Sequence, residues 1–355
     1  MQGKTMGDIK RSSNLELYRI VCMIMIVAHH YVVNSGLTSI DAPLIVDPAT
    51  PNSLYLWTMG MWGKTGINCF MMITGYFMCK STITLKKFLK LLLQVYIYKI
   101  IIFVVFVFIG YESISILKLL KLAMPIWDIN QNFTSCFIVF WLTIPFWNIL
   151  IQNMTKKQHE LVLGLLLCIY TFLGSIPKFG ISFNYVTWFG VIYLIASYTR
   201  LYPHPIFDKK KLWFYLSILC ILFAIISMCV MVTFVGGQYA LFFVSDANKF
   251  FAVSIAITTF LWFKNLKISY NSIINIIGGS TFGVLLIHAN SDAMRQWLWK
   301  DTVDCVGHYT LPLGELILYS IGIVLSVFFT CVIIDRIRIK FLEEPFFKWF
   351  DKKYI

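Results

Sequence analysis

Ten apolar runs, most of them about as long as a bilayer is thick, decide what this chain can fold into. A membrane-crossing helix needs about 20 mostly apolar residues. The runs are Leu15 to Val33, Leu54 to Met78, Phe88 to Gly110, Phe133 to Ile151, Leu161 to Ile176, Tyr185 to Tyr198, Leu212 to Val235, Phe250 to Phe263, Ile273 to Leu298 and Leu316 to Ile334. The sixth and eighth are short and read as shallow or tilted helices. The expected fold is therefore all-α: a polytopic transmembrane bundle of about ten spans, forming one domain over residues 1–355. Residues 1–13 are a short leading segment and 335–355 a tail. Composition agrees, because 59% hydrophobic and only 13% charged residues with a mean hydropathy of +0.75 lie far outside the range of a soluble domain.

The charges predict an orientation. Lys4, Lys10 and Arg11 precede the first run, Lys80, Lys86, Lys87 and Lys90 follow the second, and Lys156 and Lys157 follow the fourth. Arg200 with Lys209, Lys210 and Lys211, then Lys264 and Lys267, and finally Arg336, Arg338 and Lys340 continue the alternation. The opposite connections carry Asp41, Asp47, Glu112, Asp128, Asp246, Asp301 and Asp304. By the positive-inside rule both termini are expected in the cytoplasm. The net charge of +13 then reflects topology and contact with anionic membrane lipids, and nucleic acid is not an expected partner.

The first run carries Arg19, His29 and His30 inside an otherwise apolar span. Charged groups in hydrocarbon cost about 2.5 to 3.5 kcal/mol each on insertion scales, so such residues point to function and face a bundle interior or an aqueous cavity. At about 100° and 1.5 Å per residue, the step from Arg19 to His30 returns to within about 20° of the same face, some 16 Å further along. His30 then lies about 24 Å from the entry near Asn14, towards the outer rim of the core. By the same estimate His288 in the ninth run rises to that level, with Asn290, Asp292 and Arg295 just beyond. Two histidines and an amide can meet there in one outer cavity; the plainer reading of His288 is an interfacial histidine snorkelling to water. His29 points elsewhere on the helix and is expected to be structural, and Lys64 is expected to snorkel outward.

A cation at one depth and a neutral imidazole at another suit a particular chemistry. Arg and Lys hold phosphates, and histidine is a general base near neutrality. Together they fit acyl transfer from a phosphate-bearing carrier to an alcohol. A coenzyme-A thioester entering from the cytoplasm would set its phosphates near Arg19 and Lys86, Lys87 and Lys90, with its acyl end towards His30.

These residues also resemble a family. The segment LELYRIVCMIMIVAHHY is similar to the opening helix of the membrane acyltransferase family 3, whose arginine and histidine are separated by ten residues, the spacing of Arg19 and His30. GINCFMMITGYFM resembles its second helix, with Asn68, Phe70, Thr74, Gly75 and Tyr76 in the motif positions. WFGVIYLIASYTRLY and TFGVLLIHAN resemble its middle and late helices. The likeness spans nearly the whole chain, and four motifs in order make a specific signal. It implies O-acetyl transfer from acetyl-CoA, a donor substrate and not a bound cofactor, onto a carbohydrate hydroxyl of a bacterial surface polysaccharide or lipid-linked glycan, in a multi-pass cytoplasmic-membrane enzyme. By the resemblance His30 would be catalytic and Arg19 would assist the donor; from the residues themselves Asn68 or Asn290 is expected to donate to the developing oxyanion, and His288 with Asn290 to meet substrate in the outer cavity. Where many members carry Arg-x-Arg before the third helix, this chain reads LKKFLKLLL, so Lys87 and Lys90 stand in for donor binding. No appended extracellular hydrolase-like domain is expected after the last span.

Other features carry less. Nine cysteines are scattered without a CxxC pair, which predicts neither a disulfide framework nor a thiolate metal site. Tryptophans 57, 62, 297, 299 and 349 sit near run ends, as an aromatic belt requires. HPIFD at His204 to Asp208 lacks the four-residue gap of soluble acyltransferases. A glycan transporter or exporter, a same-fold transferase with a larger acyl donor such as succinyl-CoA, and a glycan polymerase stay open at this stage.

Overall fold

The computed structural model describes residues 12–127, 129 and 132–354, and these form helices and connecting loops with no strand among them. Helix α1 covers Ser13–Val33, α2 Pro51–Gly60, α3 Gly63–Met78, α4 Leu85–Phe108, α5 Ile116–Ala123 and α6 Phe133–Asn153. Then come α7 at Lys156–Ser175, α8 at Tyr185–Leu201, α9 at Lys210–Phe234, α10 at Phe250–Lys264, α11 at Ser272–His288 and α12 at Leu313–Arg338. Helix α12 continues through a π turn into α13 at Glu344–Tyr354. Lys4, Lys10, Arg11 and Asp128 from the orientation argument lie outside the described residues.

Side-chain caps explain where several helices begin. Thr50 accepts from the Ser53 amide ahead of Pro51, Asn132 from Ser135, Asn184 from Thr187 and Asn271 from Ile274, each satisfying one of the amides a helix start leaves without a partner.

Among the described residues six helices are long and apolar enough to cross a membrane, namely α1, α4, α6, α7, α9 and the rod from Leu313 to Tyr354. A seventh is counted if α11 and the segment Asp292–Thr310, bent by 94°, form one broken span. The expected runs are helical, but the six or seven candidates fall short of the expected count of about ten, and the reasons are local. The second run divides at Gly60 and Gly63 into α2 and α3, the ninth bends sharply after His288, and α8 and α10 have only 17 and 15 residues.

Helix α1 is the central post. Its first half, with Leu15, Tyr18 and Cys22, joins an apolar cluster from α3, α6, α8 and α10. Its second half, with Met23, Val27, Tyr31 and Val32, joins another from α2, α11, α12 and the segment after the bend. Small residues allow this double packing. A β-carbon at Gly66 would lie 2.8 Å from Ile26 Cγ1, one at Gly60 2.7 Å from Val32 Cβ, and one at Gly63 would fall on the His29 ring.

Against Gly283 of α11, a buried ionic cluster ties α4 to α12. The fully buried Asp335 accepts from Tyr98 Oη at 2.7 Å, Arg338 Nε at 2.9 Å and Gln94 Nε2 at 3.3 Å. Arg338 also meets Glu343 at 2.6 Å, and Lys90 Nζ lies 2.6 Å from the same carboxylate. Removing one member of a buried ion pair strands its partner. Asp335→Ala is expected to lose about 3 kcal/mol of stability, read as a lower melting temperature in detergent; an unchanged midpoint would show that the cluster contributes nothing net.

Candidate active site

The site is assembled by α1 and α11, which run side by side so that His30 and His288 face each other. His30 Nδ1 lies 2.9 Å from His288 Nε2, with ring centroids 5.0 Å apart. His288 Nδ1 in turn lies 2.6 Å from the Val284 carbonyl one helical turn back. That chain fixes the tautomers of the neutral rings. A carbonyl oxygen only accepts, so His288 carries its proton on Nδ1 and offers a lone pair at Nε2. His30 must then donate from Nδ1, which leaves the lone pair on its Nε2 free to act as a base. His288 is buried, with Trp299 edge-on to it at 6.4 Å, so the pair is clamped from behind.

His30 opens onto a cavity of about 520 Å³. Met23, Ile26, Ile67, Phe70 and Phe282 make its apolar floor, and His29, Lys64, Lys99, Asn290 and Arg295 are on its polar wall. A second chamber of about 740 Å³ shares Lys99, Asn132, Ser135, Asn290 and Arg295 with it and leads outward past α5. A neutral base beside cations and amide donors, with an apolar floor, can deprotonate an alcohol and stabilise the oxyanion that follows.

The residues singled out from the sequence divide into two groups. His30, His288 and Asn290 come together, Asn290 donating from Nδ2 to the Leu286 carbonyl at 2.9 Å. The other four lie elsewhere. Asn68 does not line the cavity: it is fully buried, donates to the Ala247 carbonyl at 2.7 Å and accepts from Trp188 Nε1 at 2.8 Å, so its amide cross-links α3 to α8. Arg19 sits beyond the cavity floor and pairs with Glu16 at 3.3 Å. Lys90 is tied to Glu343, while Lys87 is exposed and donates to Ser81 Oγ and the Thr82 carbonyl, both at 2.8 Å. Lys86 is likewise paired, with Asp351 at 2.7 Å.

Three cavity residues were read differently, or not at all, from the sequence. Lys64 does not snorkel outward: its ammonium donates to Tyr185 Oη at 2.7 Å, and that hydroxyl donates to Asp246 at 3.3 Å. His29 also reaches the cavity, because Gly63 leaves room for its ring, and its Nδ1 donates to the Gly60 carbonyl at 2.5 Å. Lys99 was overlooked, although the rule that drew attention to Arg19 applies to it equally: it is a lone cation in the apolar stretch YIYKIII.

The family model for the acyltransferase domain of acyltransferase family 3 matches residues 12–335, nearly the whole chain. The protein belongs to acyltransferase family 3. No curated protein and no solved structure matches the chain. As an acyltransferase family 3 member it is a membrane acyltransferase, and the match takes in every helix that lines the cavity.

Proposed function

We propose that this acyltransferase moves an acetyl group from acetyl-CoA to a hydroxyl of a cell-surface or lipid-linked glycan, with His30 as the general base. The observation that carries the reading is the chain from the Val284 carbonyl through His288 to His30, which presents a basic nitrogen to a cavity inside a member of an acyltransferase family.

In the reaction, His30 Nε2 takes the proton of the acceptor hydroxyl as its oxygen attacks the thioester carbonyl. Asn290 and Lys64, both lining the cavity, are assigned as donors to the oxyanion. Collapse of the tetrahedral intermediate breaks the carbon–sulfur bond, and the thiolate takes the proton from His30 and leaves as free thiol. His288 acts through His30, holding its tautomer. The cavity floor reaches Met23, one helical turn from Arg19, so the donor is read as approaching along α1 with Arg19 on its path. Of the other cations assigned to the donor, Lys87 keeps that role, being exposed and bonded only to neutral groups among the described residues, whereas Lys90 is committed to Glu343.

The same reading treats residues 1–355 as one domain. It completes the bundle to ten crossings by counting the short helices, and sets the Ser13 end of α1 and the end of α13 on the cytoplasmic side of a bacterial plasma membrane, in keeping with the basic connections at that end.

The test is direct. Membranes carrying the protein, given acetyl-CoA with a radioactive acetyl group and a glycan fraction, are expected to release free thiol and to place label in a base-labile glycan ester. Thiol release without glycan label would leave a thioesterase, and no release with any acyl-CoA would remove acyl-CoA as the donor.

A further inference from the structure

Cations gather where the orientation rule says they should be scarce. The two chambers in front of His30 are lined by Lys64, Lys99, Lys118, Lys121 and Arg295 against Glu112 and Asp292 among the described residues. This is the end of the bundle opposite Ser13, whose connections are otherwise poor in Lys and Arg. A positive surplus there works against the topogenic bias and calls for a ligand.

The partners of these cations are incomplete. Lys118 is taken by Glu112, and Lys64 by Tyr185. Lys99 is the fifteenth residue of α4, about 21 Å along an apolar helix, and among the described residues its ammonium has only the Lys121 carbonyl, at 3.4 Å. Arg295 pairs at 2.7 Å with Asp292, whose side chain is 96% exposed, an interaction that water screens. Its Nε is buried with no hydrogen-bond partner among the described residues. The side chain as a whole is 40% exposed, so its terminal nitrogens are open to an anion in the chamber, and a charge so weakly neutralised favours one. Both residues line both chambers, so one anion can meet them together.

We propose that the acceptor is anionic, and that Lys99 and Arg295 bind a phosphate or carboxylate on it while its hydroxyl faces His30. This rests on the transferase reading above and adds the acceptor's charge to it. Such a subsite fixes the register of the glycan, so that one hydroxyl out of several is presented to the base. It also separates the two substrates, the donor along the Arg19 side of α1 and the acceptor from the outer chamber. Because two cations act in a partly wet cavity, binding weakens with salt.

The experiment uses the full chain in nanodiscs and three probes: inorganic pyrophosphate, D-glucuronate and D-glucose. Calorimetric titration is expected to show binding of at least one anion and none of glucose. Lys99→Gln with Arg295→Gln is expected to weaken that binding at least tenfold, and Lys99→Met alone serves if the pair fails to fold. Binding of pyrophosphate alone marks a phosphate-bearing acceptor, and binding of glucuronate alone a carboxylate-bearing glycan; either supports the proposal. Absence of anion binding, or equal binding by the variants, overturns it. So does a variant that loses acetyl-CoA affinity in parallel, since the cations would then hold the donor's phosphates. Thiol release from acetyl-CoA is measured in the same preparations. With the glycan fraction present, release without anion binding leaves the acetyl-CoA reading standing and this proposal fallen, whereas anion binding with no release from any acyl-CoA removes the acyl-CoA donor and the acceptor assignment with it.

Discussion

His30→Ala is expected to lower acyl transfer by roughly 10²- to 10⁴-fold, the range a positioned general base contributes, while the protein still inserts and runs as a single species. The side chain borders a cavity and is only partly buried, so truncation leaves little new void. Glycan label and thiol release should fall together, because the same proton transfer precedes both. The informative contrary result is a well-folded variant that retains transfer. His29 would then be the base to examine, since its Nδ1 donates to the Gly60 carbonyl and its Nε2 therefore also carries a lone pair in this cavity.

His288 offers the second large effect. It touches no reacting atom in the proposed reaction and acts by holding His30 in the tautomer with a free Nε2. His288→Ala removes the acceptor for His30 Nδ1–H and is expected to reduce kcat by about 10²-fold, within the reach of a lost acid–base contribution, with KM for acetyl-CoA unchanged. His288→Gln places an amide oxygen where it can accept that proton and should recover part of the loss. Rescue by glutamine together with an unmoved KM distinguishes orientation of the base from general damage to α11. Equal loss in both variants, with a raised KM, would argue for a packing role alone.

How much of this was legible in the sequence depended on whether helix geometry or tertiary packing set the answer. The meeting of His30 and His288 could be read from depth, because rise per residue places both at one level on separate runs and the 2.9 Å contact follows when α1 and α11 are neighbours. The break between α2 and α3 could not, since Gly60 and Gly63 reveal their purpose only against Val32 and the His29 ring. Asn68 shows the same limit. A polar residue in an apolar run looks alike whether it faces substrate or, as here, Trp188 and the Ala247 carbonyl. The lysines before α4 were matched to a pattern of charge, yet Lys90 and Lys86 find carboxylates more than 250 residues later in the chain, at Glu343 and Asp351, a pairing that no local window contains. Lys99 was within reach of the sequence and needed only the same rule applied to every run.

Helices α8 and α11 each have 17 residues and both border the cavity, through Tyr185 and through Phe282 and Leu285. At 1.5 Å per residue they rise about 26 Å, several ångströms less than a hydrocarbon core of about 30 Å. Most of their residues are buried inside the bundle, so neighbouring protein and the cavity, and not lipid, make up that shortfall. The two short helices thus leave room within the bundle for a polar vestibule in front of the histidines.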